Sequence, residues 1–275
     1  MNLFEQALAH VEPLCSGPAL DPALRVTLNF HPDRASSGVP ILAALARERV
    51  YCSQFVTGTS NGGLTGYPGG DRWTWESRMF GGAYDESAPR YRPVYGGLNF
   101  RLLPYGAAPR FGSAHFRLNA EATARATYCY PDSAAEPKDF GTSRRMGLIT
   151  LASEDGSRQN LDDYIEAHVH GPVSIESDVE ALVLDPCYQG TQVEVAAELL
   201  PCEVEWHDGF RLGVERMAEH PDFRGPEFVE LGRRIAVGGR LDPRIIGAAA
   251  ASGRHDPQAL KYVWHYVAKF GAPVE

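Results

Sequence analysis

The N-terminal third of the chain alternates between helical and extended hydrophobic patterns. Residues 2–15 place apolar side chains on one face at helical spacing, which predicts a helix. Residues 39–50 show the same spacing and have a proline near their start, where a helix tolerates it. Between them, residues 23–30 mix β-branched and apolar side chains and predict a strand. A further helix is predicted at 71–80, with Asp71 as its N-cap.

The middle of the chain is rich in predicted strands, which glycine and proline turns separate. Residues 131–160 are polar and are predicted to form a loop. The last two predicted strands lie close enough in sequence to pair as an antiparallel hairpin. The predicted strands are 93–103, 110–118, 126–130, 163–173 and 178–184.

The C-terminal part of the chain changes to helical periodicity from about residue 205. Four apolar stretches with helical spacing follow one another between residues 210 and 271. The order of helices, mixed strands and a helical tail predicts an α+β fold with a mixed or antiparallel sheet, N-terminal helices and a helical C-terminal extension. We expect residues 1–275 to form a single domain.

Composition excludes several classes of partner. The formal net charge of −9 argues against a nucleic-acid or anionic-membrane partner, because both repel an acidic surface. The sequence contains no apolar stretch of membrane-spanning length, and its first residues lack the features of a signal peptide. The five scattered cysteines contain no CxxC pair, so we expect reduced thiols and no thiolate zinc site.

Two carboxylates stand at the start of the last predicted strand. Asp178 and Glu180 are two residues apart, so a strand would present both on one face, roughly 6–7 Å apart. Such a pair suits chemistry on a sugar, where one carboxylate stabilises an oxocarbenium-like carbon and the other handles a proton. A solvated strand end is the commoner explanation of this spacing alone.

The surrounding sequence resembles a known enzyme superfamily. The stretch DVEALVLDPCYQGTQVEV resembles the final motif of the ADP-ribosyltransferases. Over roughly residues 20–270 the chain is also similar to a bacterial family that includes ubiquitin threonine mono-ADP-ribosyltransferase effectors. Five of the motifs that carry this similarity are NFHPDR, SQFVTGTSNGGLTGYPGGDRWTWESRMFGGAYD, RPVYGGLNF, YIEAHVHGPVSIESDVEALVLDP and KYVWHYVAKFG.

The resemblance implies an ADP-ribosyltransferase-like fold and a reaction that uses NAD as substrate. ADP-ribose would pass to a protein acceptor, with host ubiquitin as the candidate, and no metal is expected. The family also implies synthesis in the bacterial cytoplasm, before secretion into a host or competitor cell. Glu180 would stabilise the oxocarbenium ion, and Asp178, where members usually have Glu or Gln, would orient or deprotonate the nucleophile.

The same resemblance implies an arginine or histidine on an early strand that grips NAD. His31 and Arg34 are the candidates at the end of the first predicted strand. A second implied element is a strand rich in serine and threonine that shapes the nicotinamide pocket. The glycine-rich segment 51–63 is the better candidate for this role, residues 111–115 with Ser113 compete with it, and the sequence leaves both open. The candidates in the glycine-rich segment are Ser53, Thr57, Thr59, Ser60, Asn61 and Gly62.

Two other functions stay open at this stage. His168 and His170, with His31, Asp33 and Glu166 expected nearby in space, could ligate the zinc or manganese of a hydrolase, although a His-x-His pattern is a weak signal. Alternatively, the aromatic residues around Trp73, Trp75 and Tyr84 could form the recognition surface of a non-catalytic protein-binding module.

Overall fold

An eight-stranded sheet organises the residues described by the computed structural model, which are 1–36, 38–58, 65–157 and 161–273. The helices are α1 (Leu3–Val11), α2 (Ile41–Glu48), α3 (Gln54–Thr57), α4 (Asp71–Met79), α5 (Ala120–Ala124), α6 (Leu148–Glu154), α7 (Ile175–Asp178), α8 (Gln192–Ala197), α9 (Val214–Ala218), α10 (Pro226–Ile235), α11 (Pro243–Ala251) and α12 (Pro257–Phe270). The strands are β1 (Val26–Phe30), β2 (Ala35–Ser36), β3 (Val39–Pro40), β4 (Val50–Tyr51), β5 (Val94–Leu98), β6 (Ala114–Leu118), β7 (Ala126–Tyr130), β8 (Asp139–Thr142), β9 (Ile165–Val169), β10 (Val173–Ser174), β11 (Val179–Leu184), β12 (Glu203–Trp206), β13 (Leu212–Gly213) and β14 (Arg240–Leu241).

The strands of the large sheet follow the order β12-β11-β6-β1-β5-β9-β7-β8. Neighbouring strands are antiparallel throughout, except β11 and β12, which run parallel. The sheet is therefore mixed, and helices lie at both ends of the chain. The predicted α+β class with a mixed sheet is confirmed.

One face of this sheet is apolar and carries the main core. Leu28 of β1 lies opposite Phe116 of β6, which in turn lies opposite Leu182 of β11, and all three side chains are fully buried. Leu42 and Leu45 of α2 belong to the same core cluster. Successive strand residues point to opposite faces, so the residues between these positions lie on the other side of the sheet.

That other face is unusually polar for a covered surface. The register places Thr27, Arg117, Gly97 and Glu166 in one row across β1, β6, β5 and β9. The loop before β6 covers part of this face, since the backbone N–H of Ala107 donates to Thr27 Oγ1 at 2.8 Å. Buried polar side chains here need partners within the protein, and their contacts define the candidate sites described below.

The C-terminal helices α9–α12 form a second apolar cluster that docks on one end of the sheet. Trp264 of α12 is buried, and its indole Nε1 donates to the carbonyl of Pro109 at 2.9 Å. Pro257 at the first turn and Asp256 as N-cap favour the start of α12, because the proline lacks the N–H that would be unpaired there. Among the described residues, no helix has the length and apolarity to cross a membrane.

Several predicted elements need correction. Asp71 is the first residue of α4, and Gly70 is its N-cap. The region 131–160 contains β8 and α6 rather than only loop. The predicted hairpin of the last two strands is wrong: β9 pairs with β5 and β7, whereas β11 pairs with β6 and β12. The turn between them contains β10, which pairs with β4 and leads the chain into α7.

Candidate functional site

Glu180 lies at the head of β11, where the strand pairing is irregular. The register with β6 shifts between Val179 and Ala181, so a bulge leaves Glu180 between two paired positions. Its Oε1 accepts a hydrogen bond from Arg25 Nε at 2.8 Å, and its Oε2 accepts one from Arg117 Nε at 3.1 Å. A carboxylate from β11 thus joins an arginine just before β1 and one near the end of β6.

A second carboxylate extends this charged cluster to the sheet edge. Both terminal nitrogens of Arg117 donate to Glu205 of β12, at 2.8 and 2.5 Å. The Arg117 hydrogen bonds lower the pKa of Glu205, and the hydrogen bond to Glu205 raises the pKa of Arg117. Arg25, Arg117, Glu180 and Glu205 therefore form a balanced network of two positive and two negative groups. We call these four residues the rim cluster.

The rim cluster is open to solvent. The side chain of Glu180 is 32% exposed and that of Arg25 is 24% exposed. Two shallow surface pockets, of about 410 and 240 Å³, lie elsewhere, lined in part by Phe270 and by Tyr105 respectively. Because Arg25 and Arg117 already bind carboxylates, any anion at the rim cluster would compete with Glu180 and Glu205 for them.

Asp178 does not share a strand face with Glu180, so the side-by-side arrangement predicted from the sequence is wrong. Asp178 is the last residue of α7, and its carboxylate binds Arg125 through two hydrogen bonds of 2.9 Å. The backbone N–H of Ser174 adds a third at 2.7 Å. Burial acts to raise the pKa of Asp178, but the hydrogen bonds from Arg125 and Ser174 outweigh it, and the pKa is lowered. Such a carboxylate is a weak base.

His31 lies at the opposite end of β1 from the rim cluster. It is six positions from Arg25 along the chain, which corresponds to about 20 Å along an extended strand. The imidazole is buried edge-on against the Trp264 ring, with centroids 5.0 Å apart. Burial, with Arg34 and His265 nearby, keeps the pKa of His31 well below its ordinary value. Arg34 follows in the turn after β1, where its backbone N–H donates to the His31 carbonyl at 3.4 Å.

Ser113 lies near the His31 end of the sheet. It precedes Ala114, which pairs with Phe30, and its carbonyl accepts a hydrogen bond from His207 Nε2 at 2.8 Å. The predicted pocket residue is thus at the other end of β6 from Arg117.

The glycine-rich segment begins on another part of the fold. Ser53 is the buried N-cap residue of α3, and the Thr57 hydroxyl donates to the Ser53 carbonyl at 3.4 Å. Both follow β4, which pairs with β10 outside the large sheet. The other four predicted residues of this segment lie outside the described part of the chain: Thr59, Ser60, Asn61 and Gly62.

Glu180 is thus held by two arginines, Arg25 and Arg117, that no sequence motif had indicated. The expectation was an arginine or histidine at the end of the first predicted strand, whereas Arg25 lies near that strand's start. The sequence does not predict which end of β1 lies nearer the start of β11, because the two strands are not neighbours. Strand β6 lies between them.

Of the metal-ligand set predicted from the sequence, Glu166 and His168 lie together, with Oε1 and Nε2 3.0 Å apart, but the full set is not assembled among the described residues. His168 and His170 both contact Phe80, but the two ring nitrogens of His170 face the hydroxyls of Tyr84 at 2.7 Å and Thr127 at 2.9 Å. His31 packs instead against Trp264. The predicted aromatic recognition surface is also incomplete, because Tyr84 is fully buried.

Comparison with protein-family models identifies the chain. Residues 25–154 and 147–270 match the family described as "Protein of unknown function (DUF3626)". The chain belongs to this family. The matched segments of the DUF3626 chain include all four residues of the rim cluster, together with Asp178 and His31. No curated protein matches the chain.

Proposed function

We propose that this DUF3626 protein is a mono-ADP-ribosyltransferase that cleaves NAD and transfers ADP-ribose to a protein acceptor. The carrying observation is the position of Glu180, whose carboxylate lies at the start of β11 between Arg25 and Arg117. In this proposal the two arginines bind the pyrophosphate of NAD, and Glu180 faces the ribose attached to nicotinamide. The ADP-ribosyltransferase-like fold is part of the same proposal, and its motif resemblance centres on residues 178–195.

The proposed reaction depends on a negative charge that stabilises the transition state and does not require a strong base. The bond between the ribose anomeric carbon and nicotinamide breaks, and nicotinamide leaves with the electron pair. Glu180 stabilises the positive charge that develops on the sugar. An acceptor hydroxyl then bonds to the anomeric carbon and loses its proton to solvent. Because the attacked carbon is strongly electrophilic, the hydroxyl need not be deprotonated beforehand.

The contacts of Asp178 support a different role from the one its sequence position suggested. Both of its oxygens bind Arg125, whose other donors reach the carbonyls of His170 and Pro172. We therefore propose that Asp178 anchors the segment leading into β11 and so positions Glu180, while taking no proton itself.

The test is NAD turnover by the purified chain, followed as nicotinamide release, with and without ubiquitin. Glu180→Gln preserves size and removes the charge, and it should lower turnover by about 100-fold or more. Glu203→Gln is the matched control, since Glu203 is an exposed carboxylate on neighbouring β12. Absence of nicotinamide release from the wild-type chain with every acceptor tested, or full activity of Glu180→Gln, would contradict the proposal.

The acceptor needs a separate measurement. Host ubiquitin, with a threonine as the modified residue, is the acceptor that the family resemblance suggests. Intact-mass analysis of ubiquitin after the reaction should show addition of one ADP-ribose, and fragmentation should locate it on a threonine. Labelling of other proteins in a eukaryotic lysate, with ubiquitin unmodified, would keep the transferase proposal and reject this acceptor.

A further inference from the structure

A compact group of metal-ligand side chains lies on the polar face of the sheet, apart from the rim cluster. Cys129 of β7 is directly opposite Glu166 of β9, and His168 follows two residues later on the same face. His168 Nε2 is 3.0 Å from Glu166 Oε1, and the Cys129 sulfur is 3.9 Å from each of these two atoms. Three different donor atoms therefore converge on one point.

We propose that Cys129, Glu166 and His168 bind a zinc ion. With typical zinc–ligand bonds, the donor atoms of a tetrahedral site are about 3.3–3.6 Å apart. The observed separations of 3.0, 3.9 and 3.9 Å bracket that range, so shifts of a few tenths of an ångström would complete the geometry. Three protein ligands leave the fourth position to a water molecule.

The charges of this group match a divalent ion. Cys129 and His168 are fully buried, and Glu166 is 7% exposed. Zinc binding would form bonds to sulfur, oxygen and nitrogen, break the S–H bond and release the thiol proton to solvent. The thiolate and carboxylate then carry two negative charges and the imidazole none, so a Zn²⁺ complex is neutral. Neutrality matters because an unpaired charge is costly in a buried site.

Neighbouring groups orient two of the ligands as a metal site requires. The Thr127 hydroxyl is 3.4 Å from His168 Nδ1, so an N–H there can donate to it and leave Nε2 free to bind metal. The backbone N–H of Ser133 donates to Glu166 Oε1 at 3.1 Å. Such a hydrogen bond from the protein to a ligating carboxylate holds the ligand in place.

The same geometry argues against a cysteine nucleophile. In a catalytic triad, the imidazole bridges the nucleophile and the carboxylate through its two different nitrogens. Here both the Cys129 sulfur and Glu166 Oε1 face the same nitrogen, Nε2 of His168. A proton relay through the ring is therefore not available, whereas a metal ion at the meeting point uses all three atoms.

The experiment that tests the site uses cobalt as a spectroscopic probe of the purified full-length chain. Elemental analysis after removal of any affinity tag should find about one zinc per chain. Chelation and reconstitution with Co²⁺ should then produce the near-ultraviolet absorption of a thiolate-to-cobalt transition. Thermal unfolding should occur several degrees lower in the metal-free protein, because the ion links β7 to β9.

Matched variants distinguish this site from adventitious binding. Cys129→Ser should abolish the thiolate–cobalt band, whereas Cys15→Ser, which removes another buried thiol, should retain it. His168→Gln should lose zinc, whereas His170→Gln on the same sheet face should keep it. Absence of zinc and of the cobalt band from the wild-type chain, or metal content unchanged by Cys129→Ser and His168→Gln, would overturn the proposal. The outcome is independent of NAD turnover.

Discussion

Arg25 and Glu180 are 155 positions apart in the chain, yet Arg25 Nε donates to Glu180 Oε1 at 2.8 Å. The contact spans β6, because Arg25 immediately precedes β1 and Glu180 lies in β11. Arg117 of β6, the strand between them, donates to the other oxygen of the same carboxylate. Strands β6 and β11 and the residue that precedes β1 therefore each contribute one charged group to the same site.

Replacing Arg25 should separate ligand binding from stability. If Arg25 binds the pyrophosphate, Arg25→Ala should raise the KM for NAD about tenfold or more with a smaller effect on kcat. Arg25→Lys should recover part of the loss, because it keeps the charge but not the fork of donors. Steady-state kinetics measure both, and Arg47→Ala, at an exposed ion pair, is the control.

The same Arg25→Ala variant should change the free energy of unfolding by less than about 1 kcal/mol, because partly exposed ion pairs contribute little. Urea denaturation checks this value. An unchanged KM for NAD, or a loss of activity that is fully explained by unfolding, would argue against a role for Arg25 in binding.

Removing the charge of Asp178 should weaken the fold. Asp178→Asn removes the charge and replaces one of the two oxygens that accept from Arg125 with an N–H donor, and we expect a loss of about 1–3 kcal/mol in unfolding free energy at neutral pH. Glu176→Gln, at an exposed residue of the same helix, should change it by less than about 0.5 kcal/mol.

The Asp178 contribution also has a defined pH dependence. The pKa of Asp178 is lowered on folding, so its stabilising effect is complete above the ordinary value of 3.8 and is lost as the pH falls through the lower folded value. The stability difference between wild type and Asp178→Asn should thus shrink below pH 4. A difference that stays constant down to the acid transition would show that the charge is not responsible.

Gly247 of α11 packs against the carboxyl group of Asp33. Replacing this glycine with alanine should therefore destabilise the protein, although the same change usually stabilises a helix. A Cβ atom at position 247 would come too close to Asp33 Oδ2 to be accommodated. Although alanine normally stabilises a helix interior relative to glycine, Gly247→Ala should cost about 1–3 kcal/mol through this overlap. Thermal or urea denaturation tests it. In an Asp33→Ala background, which removes the carboxyl group, the cost should largely disappear.

Asp33 should make the protein less stable as the pH rises through the weakly acidic range. Burial raises the pKa of Asp33 to about 6 from 3.8. The folded state therefore keeps a proton that the unfolded state releases near pH 4, and the associated stability declines as the pH rises through about 6. Compared with Asp33→Asn, wild type should lose on the order of 1–3 kcal/mol between pH 4 and pH 7. Parallel stability curves for the two proteins would contradict this assignment.

The sequence predicted local elements well where one periodicity dominated. Residues 126–130 formed the predicted strand β7, and the four C-terminal helices appeared in the predicted region. Prediction from the sequence failed for short elements that are stabilised mainly by neighbouring strands. β8 is a four-residue edge strand that contains a glycine, and its pairing with β7 defines it more than its own residues do.

The candidate site shows the same division between local pattern and spatial arrangement. The motif around Glu180 identified the head of β11, but the spacing of Asp178 and Glu180 was interpreted as a continuous strand. One helical turn, α7, ends at Asp178 and changes the direction of its side chain. Ser174 caps that turn, which is a local contact, and Arg125 forms a salt bridge with Asp178, which is a tertiary one. The alternation of apolar and polar residues along the chain encodes neither contact.

The sequence by itself determined the mixed α+β composition, the helical C-terminal region and the position of Glu180 at the start of a buried strand, because each depends on side chains close together in the chain. Only the tertiary structure decided that Arg25, rather than His31, lies beside Glu180, and that Cys129 joins Glu166 and His168. These side-chain contacts depend on the order and the register of the strands in the sheet. Hydrogen bonds between segments that are distant in the chain set the strand order and the register.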